Sequence, residues 1–264
     1  MNRRALVTLV LGQEYAAIWR QICQPNWQRY ADKFHLDLIC LDQPLDTSQR
    51  AQQRSPAWQK CLILSQPCVQ CYEQVVWMDA DILINHRRAL NVFDDVPVEK
   101  VGAAEEFRFS GSPGCEMLDR MSEVWPHVRP MIQYTPREFY AAFGLPDDCD
   151  HAINTGVMVL SPLHQALLEK VYYQYEEKPG RAWHMEMRPL SYELNRAGLV
   201  RDIDPRFNVM WLCQKFLHYP FLLRPRLKHK LCGFDSACIN VAFQRSYFFH
   251  LGGMYIADMR MIEA

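Results

Sequence analysis

Several features that identify other classes of protein are missing from this sequence of 264 residues. No apolar run reaches the length of a transmembrane helix, and no internal repeat or low-complexity segment is present. The Gly-x-Gly-x-x-Gly pattern of dinucleotide-binding proteins is absent after the first predicted strand. The net charge is only −1, which argues against nucleic-acid binding through bulk electrostatics. The content of 49% hydrophobic and 22% charged residues is that of an ordinary globular protein.

The cysteines and the N-terminal segment bear on the cellular compartment. The chain is long and several of its ten cysteines lie in apolar runs, so we expect mostly reduced core thiols in a cytoplasmic protein. Cys68-x-x-Cys71 has no second pair of the same kind, and it therefore indicates a zinc site only weakly. The apolar part of residues 1–11 is short and is closely followed by Glu14, which predicts a first strand rather than a signal peptide.

A buried strand followed by two carboxylates is the most informative stretch. Residues 75–78 form a short apolar run of strand-forming residues, and Asp79 and Asp81 follow it directly. Two carboxylates are costly to bury without a positive partner, and Mg²⁺ and Mn²⁺ prefer such oxygen ligands while leaving positions open for phosphate. We interpret Asp79 and Asp81 as ligands of a divalent cation that holds a diphosphate. A capped turn is the alternative.

The segment from Trp77 to Asn85 resembles the DxD segment of glycosyltransferases with the GT-A fold. It is most similar to the group of plant xyloglucan xylosyltransferases and fungal Golgi galactosyl- and mannosyltransferases, with the glycogenin-like group next. The resemblance implies an α/β protein with a single GT-A (Rossmann-like) domain over residues 1–264, in which helices flank a central, mostly parallel twisted sheet. It further implies a nucleotide-binding half, residues 1–100, and an acceptor-binding half, residues 101–264. Asp79 and Asp81 would bind Mn²⁺ (or Mg²⁺), which bridges the diphosphate of a nucleotide sugar.

Two further motifs match these families on either side of the middle of the chain. Pro56-x-Trp-x-Lys60 precedes the DxD strand, and Lys60 is expected either to counter the charge of the sugar diphosphate or to be a solvated helix lysine. Asn154-Thr-Gly156-Val is similar to the Asn-x-Gly-Val segment. There Gly156 would allow close backbone approach, and Asn154 would offer a hydrogen-bond donor and an acceptor to sugar hydroxyls.

The C-terminal part of the chain contains one more match and one departure. His250-Leu-Gly-Gly resembles the His-x-Gly element of these families, which implies His250 as the third metal ligand and Gly252 and Gly253 as backbone contacts of phosphate. The families usually have an acidic residue and then Gln before a helix, whereas this chain has Glu186 and Met187. Glu186 is expected to bind a sugar hydroxyl or to lie on the reacting face near the anomeric carbon. The alternative is a helix N-terminal glutamate favoured by the helix dipole.

The carboxyl end of the first predicted strand, residues 5–11, is a candidate nucleotide site because nucleotides bind at that edge of open α/β sheets. Thr8 or Gln13 is expected to hydrogen-bond the base. Tyr15 is expected either to stack on the base or to pack within the first helix.

These motifs predict a metal-dependent glycosyltransferase that moves a sugar from a nucleoside-diphosphate sugar to a hydroxyl of a carbohydrate or glycolipid acceptor. The resemblance implies retention of the anomeric configuration; an inverting enzyme would need a carboxylate base, for which Glu186 or Asp150 is available. A sugar-phosphate nucleotidyltransferase is an alternative, but its glycine-rich phosphate loop is missing. A DxD phosphatase normally has Thr or Val two residues after the second Asp, where this chain has Leu83. A non-catalytic sugar-binding module is the third alternative.

Two stretches of the sequence each have two interpretations. The basic segment from Arg224 to Lys230 predicts either peripheral contact with an anionic membrane surface, at the inner face, or a solvated loop. Asn208 and Trp211 are expected either to flank the acceptor or to pack in the interior.

Overall fold

A computed structural model describes residues 3–177, 186–223 and 233–264 of the chain. The described strands are β1 (Arg4–Leu9), β2 (Asp37–Leu41), β3 (Gln74–Met78), β4 (Ile82–Ile84), β5 (Val101–Glu105), β6 (Ile153–Leu160), β7 (Val200–Asp202), β8 (Val209–Met210) and β9 (Phe248–His250). The described α-helices are α1 (Gln13–Ile18), α2 (Gln24–Phe34), α3 (Gln49–Gln52), α4 (Pro67–Gln70), α5 (Ser112–Val124), α6 (Pro136–Ala141), α7 (Gln165–Gln174), α8 (Met187–Arg196), α9 (Trp211–His218) and α10 (Phe234–Gln244).

The central sheet has six strands in the order β2-β1-β3-β6-β5-β7. β1 runs parallel to both β2 and β3, and β7 runs parallel to β5. β6 is antiparallel to its neighbours β3 and β5. The other five strands share one direction, which confirms the predicted mostly parallel α/β sheet and brings the carboxyl ends of β1, β3 and β5 to one edge.

The strands of the central sheet alternate between two hydrophobic layers, as the two-residue period of a strand requires. In β3, Val76 faces the layer that contains α2 and α10, while Val75 and Trp77 face the layer that contains α7 and α8. All five residues of β3 are buried. This double burial explains why the strand is an almost continuous apolar run rather than an alternating one.

A second, smaller sheet with the order β4-β9-β8 lies beside the first. Asp79, Ala80 and Asp81 form the whole connection between β3 of the large sheet and β4 of the small one. β4 and β9 pair antiparallel, with Ile82 opposite His250. The two carboxylates therefore lie at a corner between two sheets, next to the end of the last strand.

The helical segment from Gln13 to Phe34 is continuous but contains a change of helical type. A π-helical turn, Trp19–Cys23, separates α1 from α2, and Pro25 lies in the first turn of α2. Proline has no N–H to donate to the preceding turn, and a wider π turn accommodates that loss without ending the helix. α2 ends at Phe34, and the next residue, His35, caps it in the left-handed conformation with a φ of 55°.

Two polar stretches are partly helical, and one expectation about the thiols needs correction. Residues 43–56 and 134–150 contain α3 and α6, and the side chain of Thr135 caps α6 by accepting a hydrogen bond from Glu138 N. The nine cysteines that the structure describes are free, as expected, but only four of them are buried core thiols. The exposed ones are Cys40, Cys68, Cys71 and Cys115.

The basic segment from Arg224 to Lys230 lies outside the described residues. Within the described ranges, the helices are too short or too polar to cross a lipid bilayer.

Candidate metal centre and active site

Three segments that are far apart in sequence meet at the corner after β3. Asp79 N–H donates to the carbonyl of Gly156 in β6 at 2.8 Å, which ties the first aspartate to the Asn154–Gly156 segment. Leu251 N–H donates to the carbonyl of Asp81 at 3.0 Å, which ties the second aspartate to the end of β9. The backbone pairing thus places His250 beside the two carboxylates.

The side chains of Asp79, Asp81 and His250 form the one group within the described residues whose donor atoms could share a cation, all within 4.8 Å of one another. His250 Nε2 lies 3.1 Å from Asp81 Oδ1 and 3.8 Å from Asp79 Oδ2. Cys68 and Cys71 are not part of any such group in the described residues, so the weak indication of zinc gains no support.

Lys60 is also part of this cluster. It lies in a 3₁₀ helix, Pro56–Ser65, whose first turn is capped by the Ser55 side chain. Its side chain is only 3% exposed, and Nζ lies 2.9 Å from Asp79 Oδ1 and 2.8 Å from Glu186 Oε1. The solvated-lysine alternative is therefore wrong: Lys60 joins the metal-ligand candidates to Glu186, which immediately precedes α8.

The charges of the cluster shift the proton affinities of its members. Burial opposes the charge of Lys60, but Asp79 and Glu186 outweigh it and raise the pKa of the ammonium. Burial likewise opposes a charge on His250, but the two aspartates raise its pKa. His250 lowers the pKa of Asp81 against the effect of burial. Burial raises the pKa of Asp79 despite the nearby Lys60 and His250. With all three carboxylates ionised, the ammonium present and the imidazole neutral, the cluster has a formal charge of −2.

The donor set fits a hard divalent cation. Asp81 Oδ1 is buried and, among the described residues, accepts no hydrogen bond of good geometry although His250 Nε2 is near. Asp79 is more accessible, with 28% of its side chain exposed. Two carboxylates and an imidazole suit Mn²⁺ or Mg²⁺, and one such ion would balance the charge of −2.

A cavity of about 320 Å³ opens in front of the two aspartates. It is lined by Leu9, Leu11, Tyr15, Pro56, Ala57, Lys60, Trp77, Asp79, Ala80 and Asp81. All of these residues precede residue 82, and they come from the carboxyl ends of β1 and β3, from α1 and from the 3₁₀ helix. This is the edge of the sheet at which nucleotides bind in open α/β folds.

The three residues predicted to contact a nucleotide base lie in three different environments. Tyr15 lines the cavity, where burial and the nearby Asp81 and Asp79 raise the pKa of its hydroxyl. Gln13 is exposed at the start of α1. Thr8 is fully buried in β1, does not line the cavity, and its hydroxyl has no hydrogen-bond partner among the described residues.

The remaining predicted residues of the site lie around His250 and α8. The chain has open space after β9, both at Gly252, whose φ is +73°, and at the exposed Gly253. Glu186 is buried, pairs with Lys60 and accepts a hydrogen bond from the Thr155 hydroxyl. Met187, the residue that replaces the expected Gln, is buried in the hydrophobic layer around α8.

Asp150 and Trp211 lie outside the cluster. Asp150 is exposed and paired with Arg137, which lowers the pKa of its carboxyl, so this carboxylate is tied to a surface partner. Trp211 is fully buried and donates to Asp258 at 3.0 Å. Of its two alternatives, interior packing is the one observed.

A buried ion pair next to Asn154 was not predicted. Glu106 and Arg108 are 4% and 7% exposed, and Arg108 Nε donates to Glu106 Oε1 at 3.1 Å. Asn154 Nδ2 donates to the other carboxylate oxygen at 2.8 Å. Glu106 directly follows β5, just as Asp79 directly follows the parallel strand β3, and this shared position was the signal available in the sequence.

Comparisons with known proteins support the fold. No protein-family model matches the sequence, and no curated protein sequence matches it. A glycosyltransferase involved in the glycosylation of the major capsid of PBCV-1 is 16% identical, with a TM-score of 0.53 over 97% of this chain and 98% of that one. The apo structure of the bifunctional glycosyltransferase WbbM is 11% identical, with a TM-score of 0.56 over 98% of this chain and 49% of that one. The chain therefore has the fold of these glycosyltransferases, the GT-A fold that its DxD segment predicted.

Proposed function

We propose that the protein is a metal-dependent glycosyltransferase that uses a nucleoside-diphosphate sugar as donor and a hydroxyl of a carbohydrate or glycolipid as acceptor. The observation that carries the proposal is the group formed by Asp79, Asp81 and His250 at the mouth of the cavity in front of β3. When bound there, Mn²⁺ or Mg²⁺ would supply positive charge for the departing diphosphate. Glycosyltransferase activity of the two structures that share the fold supports the same reaction class.

The nucleotide end of the donor belongs in the cavity that Tyr15 and Lys60 line. The ring of Tyr15 offers an apolar face to a base, and the Lys60 ammonium offers a fixed positive charge to the phosphates. Lys60 is held by two carboxylates, so its position is set before the donor arrives. Such preorganised charge costs little reorganisation during the reaction.

The transfer breaks the bond between the anomeric carbon and the phosphate oxygen and forms a bond to the acceptor oxygen. For a retaining enzyme the acceptor proton passes to the leaving phosphate oxygen, so the protein needs no dedicated base. Retention rests on the resemblance of the DxD segment. Glu186, held by Lys60 and Thr155, is the carboxylate beside the centre that would contact the sugar.

Calorimetric titration of UDP and GDP, and of their common sugar conjugates, tests the proposal. We expect binding that requires Mn²⁺ and that is lost in Asp81→Ala. Asp32→Ala, which removes an exposed carboxylate on α2, is the matched control and should bind as the unmodified protein does. Absence of nucleotide binding with every metal would contradict the proposal and would direct attention to the phosphatase and sugar-binding alternatives.

A further inference from the structure

A continuous line of hydrogen bonds lies behind His250, on the side away from the two aspartates. His250 Nδ1 is 3.0 Å from Asn208 Oδ1, and Asn208 Nδ2 donates to Asn154 Oδ1 at 2.8 Å. Asn154 Nδ2 donates to Glu106 Oε2 at 2.8 Å, and the line ends at Arg108, whose Nε donates to Glu106 Oε1 at 3.1 Å. Except for Asn154, these residues are all buried, so water competes little with these hydrogen bonds.

The direction of every bond in this line follows from two fixed partners of Asn154. The Glu106 carboxylate can only accept, and the backbone N–H of Gly156, 3.0 Å from Asn154 Oδ1, can only donate. Asn154 must therefore present its NH₂ group to Glu106 and its oxygen to Gly156. The same oxygen faces Asn208, which must present its own NH₂ group to it. The oxygen of Asn208 consequently points at His250.

An oxygen that can only accept next to Nδ1 requires a hydrogen on Nδ1. Nε2 lies 3.1 Å from Asp81 Oδ1, which can also only accept, so the two nitrogens share their hydrogens with acceptors while the site is empty. With Nδ1 keeping its hydrogen toward Asn208, Nε2 is the nitrogen whose lone pair becomes available to a cation. Gly156 restricts the ring from another side, because a Cβ there would lie 2.6 Å from Cε1 and 2.8 Å from Nδ1 of His250. The ring is therefore limited both in its tautomer and in its orientation.

We infer that Asn208 and Asn154 are positioning residues that hold His250 as its Nδ1–H tautomer, with the Nε2 lone pair directed at the candidate cation position. The carboxylate of Glu106, paired with Arg108, fixes which atom donates and which accepts in each hydrogen bond of this line. The inference rests on the metal centre of the proposed function. It adds what fixes the tautomer and ring orientation of one ligand of that centre, His250. Partners of this kind typically contribute 10–100-fold to metal affinity.

Nitrogen NMR of metal-free protein that carries Asp81→Ala and is labelled with ¹⁵N-histidine tests the inference without activity, because this substitution removes the acceptor 3.1 Å from Nε2. Long-range proton–nitrogen spectra at a pH where the ring is neutral report which nitrogen carries the hydrogen, and His250→Gln identifies the signal. We expect Nδ1–H in Asp81→Ala and a mixture of tautomers when Asn208→Ala is added to it. Asn208→Asp keeps an acceptor oxygen toward Nδ1 and should keep the Nδ1–H tautomer.

Mn²⁺ binding measured by electron paramagnetic resonance is the second readout. We expect the affinity of Asn208→Ala to fall by about 10–100-fold. Asn195→Ala is the matched control, because Asn195 Oδ1 lies 2.9 Å from Nδ1 of a histidine outside the site, His151. It should change neither the His250 tautomer nor Mn²⁺ affinity.

Two results would overturn the inference: Nε2–H as the tautomer in the Asp81→Ala protein, or an unchanged tautomer and Mn²⁺ affinity in folded proteins that carry Asn208→Ala. Failure of the unmodified protein to bind Mn²⁺ would instead contradict the proposed function, and the tautomer would still decide the inference. If Asn208→Ala does not fold, the Asp81→Ala protein with and without Asn208→Asp decides it, since loss of Nδ1–H in either one is contrary to expectation.

Discussion

The balance of charge in the site depends on the Lys60 side chain. It lies within 3 Å of both Asp79 and Glu186 and is almost entirely buried. Without this shared cation Asp79 and Glu186 repel each other, and the buried Glu186 has little access to water that could replace it. Lys60 therefore stabilises the metal-free protein, in addition to the role toward the donor proposed above.

Replacing Lys60 by methionine tests this role. We expect Lys60→Met to lower the free energy of unfolding by roughly 3–5 kcal/mol, the usual cost of breaking a buried ion pair. Urea denaturation without metal measures it. The double variant Lys60→Met/Glu186→Gln should recover part of the loss, since it removes one of the stranded charges. A single variant as stable as the unmodified protein would contradict this description of the cluster.

Gly156 tests the packing around His250. A Cβ at this position would overlap the imidazole, so we expect Gly156→Ala to displace His250 and weaken Mn²⁺ binding by about tenfold or more. Gly198→Ala is the control, because its φ of +64° strains the new residue while its Cβ meets nothing within 4 Å. It should cost stability without changing Mn²⁺ affinity. Equal Mn²⁺ affinity in Gly156→Ala and the unmodified protein would be contrary to this prediction.

At this scale the sequence predicts some side chains of the site and misses others for a physical reason. Asp79 and Asp81 are predictable because carboxylates directly after a buried strand need a partner. His250 was placed by the order of family motifs, and the pairing of β4 with β9 supplies the physical cause. The links from His250 to Asn208 and Asn154 join distant residues, and no local pattern of amides indicates which ones will meet.

Among the elements, the small sheet is the part of the fold that the sequence did not predict. β4, β8 and β9 have three, two and three residues, which is too short for an alternating pattern to be recognised. The reversed direction of β6 was likewise hidden, since an apolar run has the same composition in either direction. The strands β1, β2 and β3 were predictable because each is a bounded apolar run of five or six residues.

The contact between α7 and α8 provides a prediction about pH. Burial disfavours the charge of Glu193 on α8, but hydrogen bonds from Lys170 and Tyr175 outweigh it and lower the pKa of the carboxyl. A carboxyl whose pKa is lower in the folded state adds stability above its unfolded value of about 4.3, and that stability is lost as the pH falls through the folded value. These contacts tie α8, which begins next to Glu186, to α7.

Urea denaturation of Glu193→Gln between pH 3 and pH 7 measures this effect. We expect the unmodified protein to be more stable than the variant near neutral pH, by about 0.5–1.5 kcal/mol, with a difference that shrinks below about pH 4.3. Glu123→Gln, at an exposed position on α5, is the control and should show no such pH-dependent difference. A difference for Glu193→Gln that is constant down to pH 3 would contradict the assignment.

On the scale of the whole molecule, the position proposed for the donor lies at the carboxyl edge of the central sheet. The sheet order and the similarity to two glycosyltransferase structures confirm the GT-A fold. The cavity in front of the metal-ligand candidates is lined by residues from 9 to 81, within the predicted nucleotide-binding half. That division, the retaining outcome and the cytoplasmic location stay predictions.

The most direct test of the central claim is the anomalous scattering of crystals grown with Mn²⁺ and the nucleoside diphosphate that binds. We predict a manganese peak at roughly 2–2.5 Å from oxygens of Asp79 and Asp81 and from Nε2 of His250, with the diphosphate completing the coordination. Nucleotide bound without manganese at this position, or manganese held by other residues, would contradict the claim that this cluster is the metal centre of a glycosyltransferase.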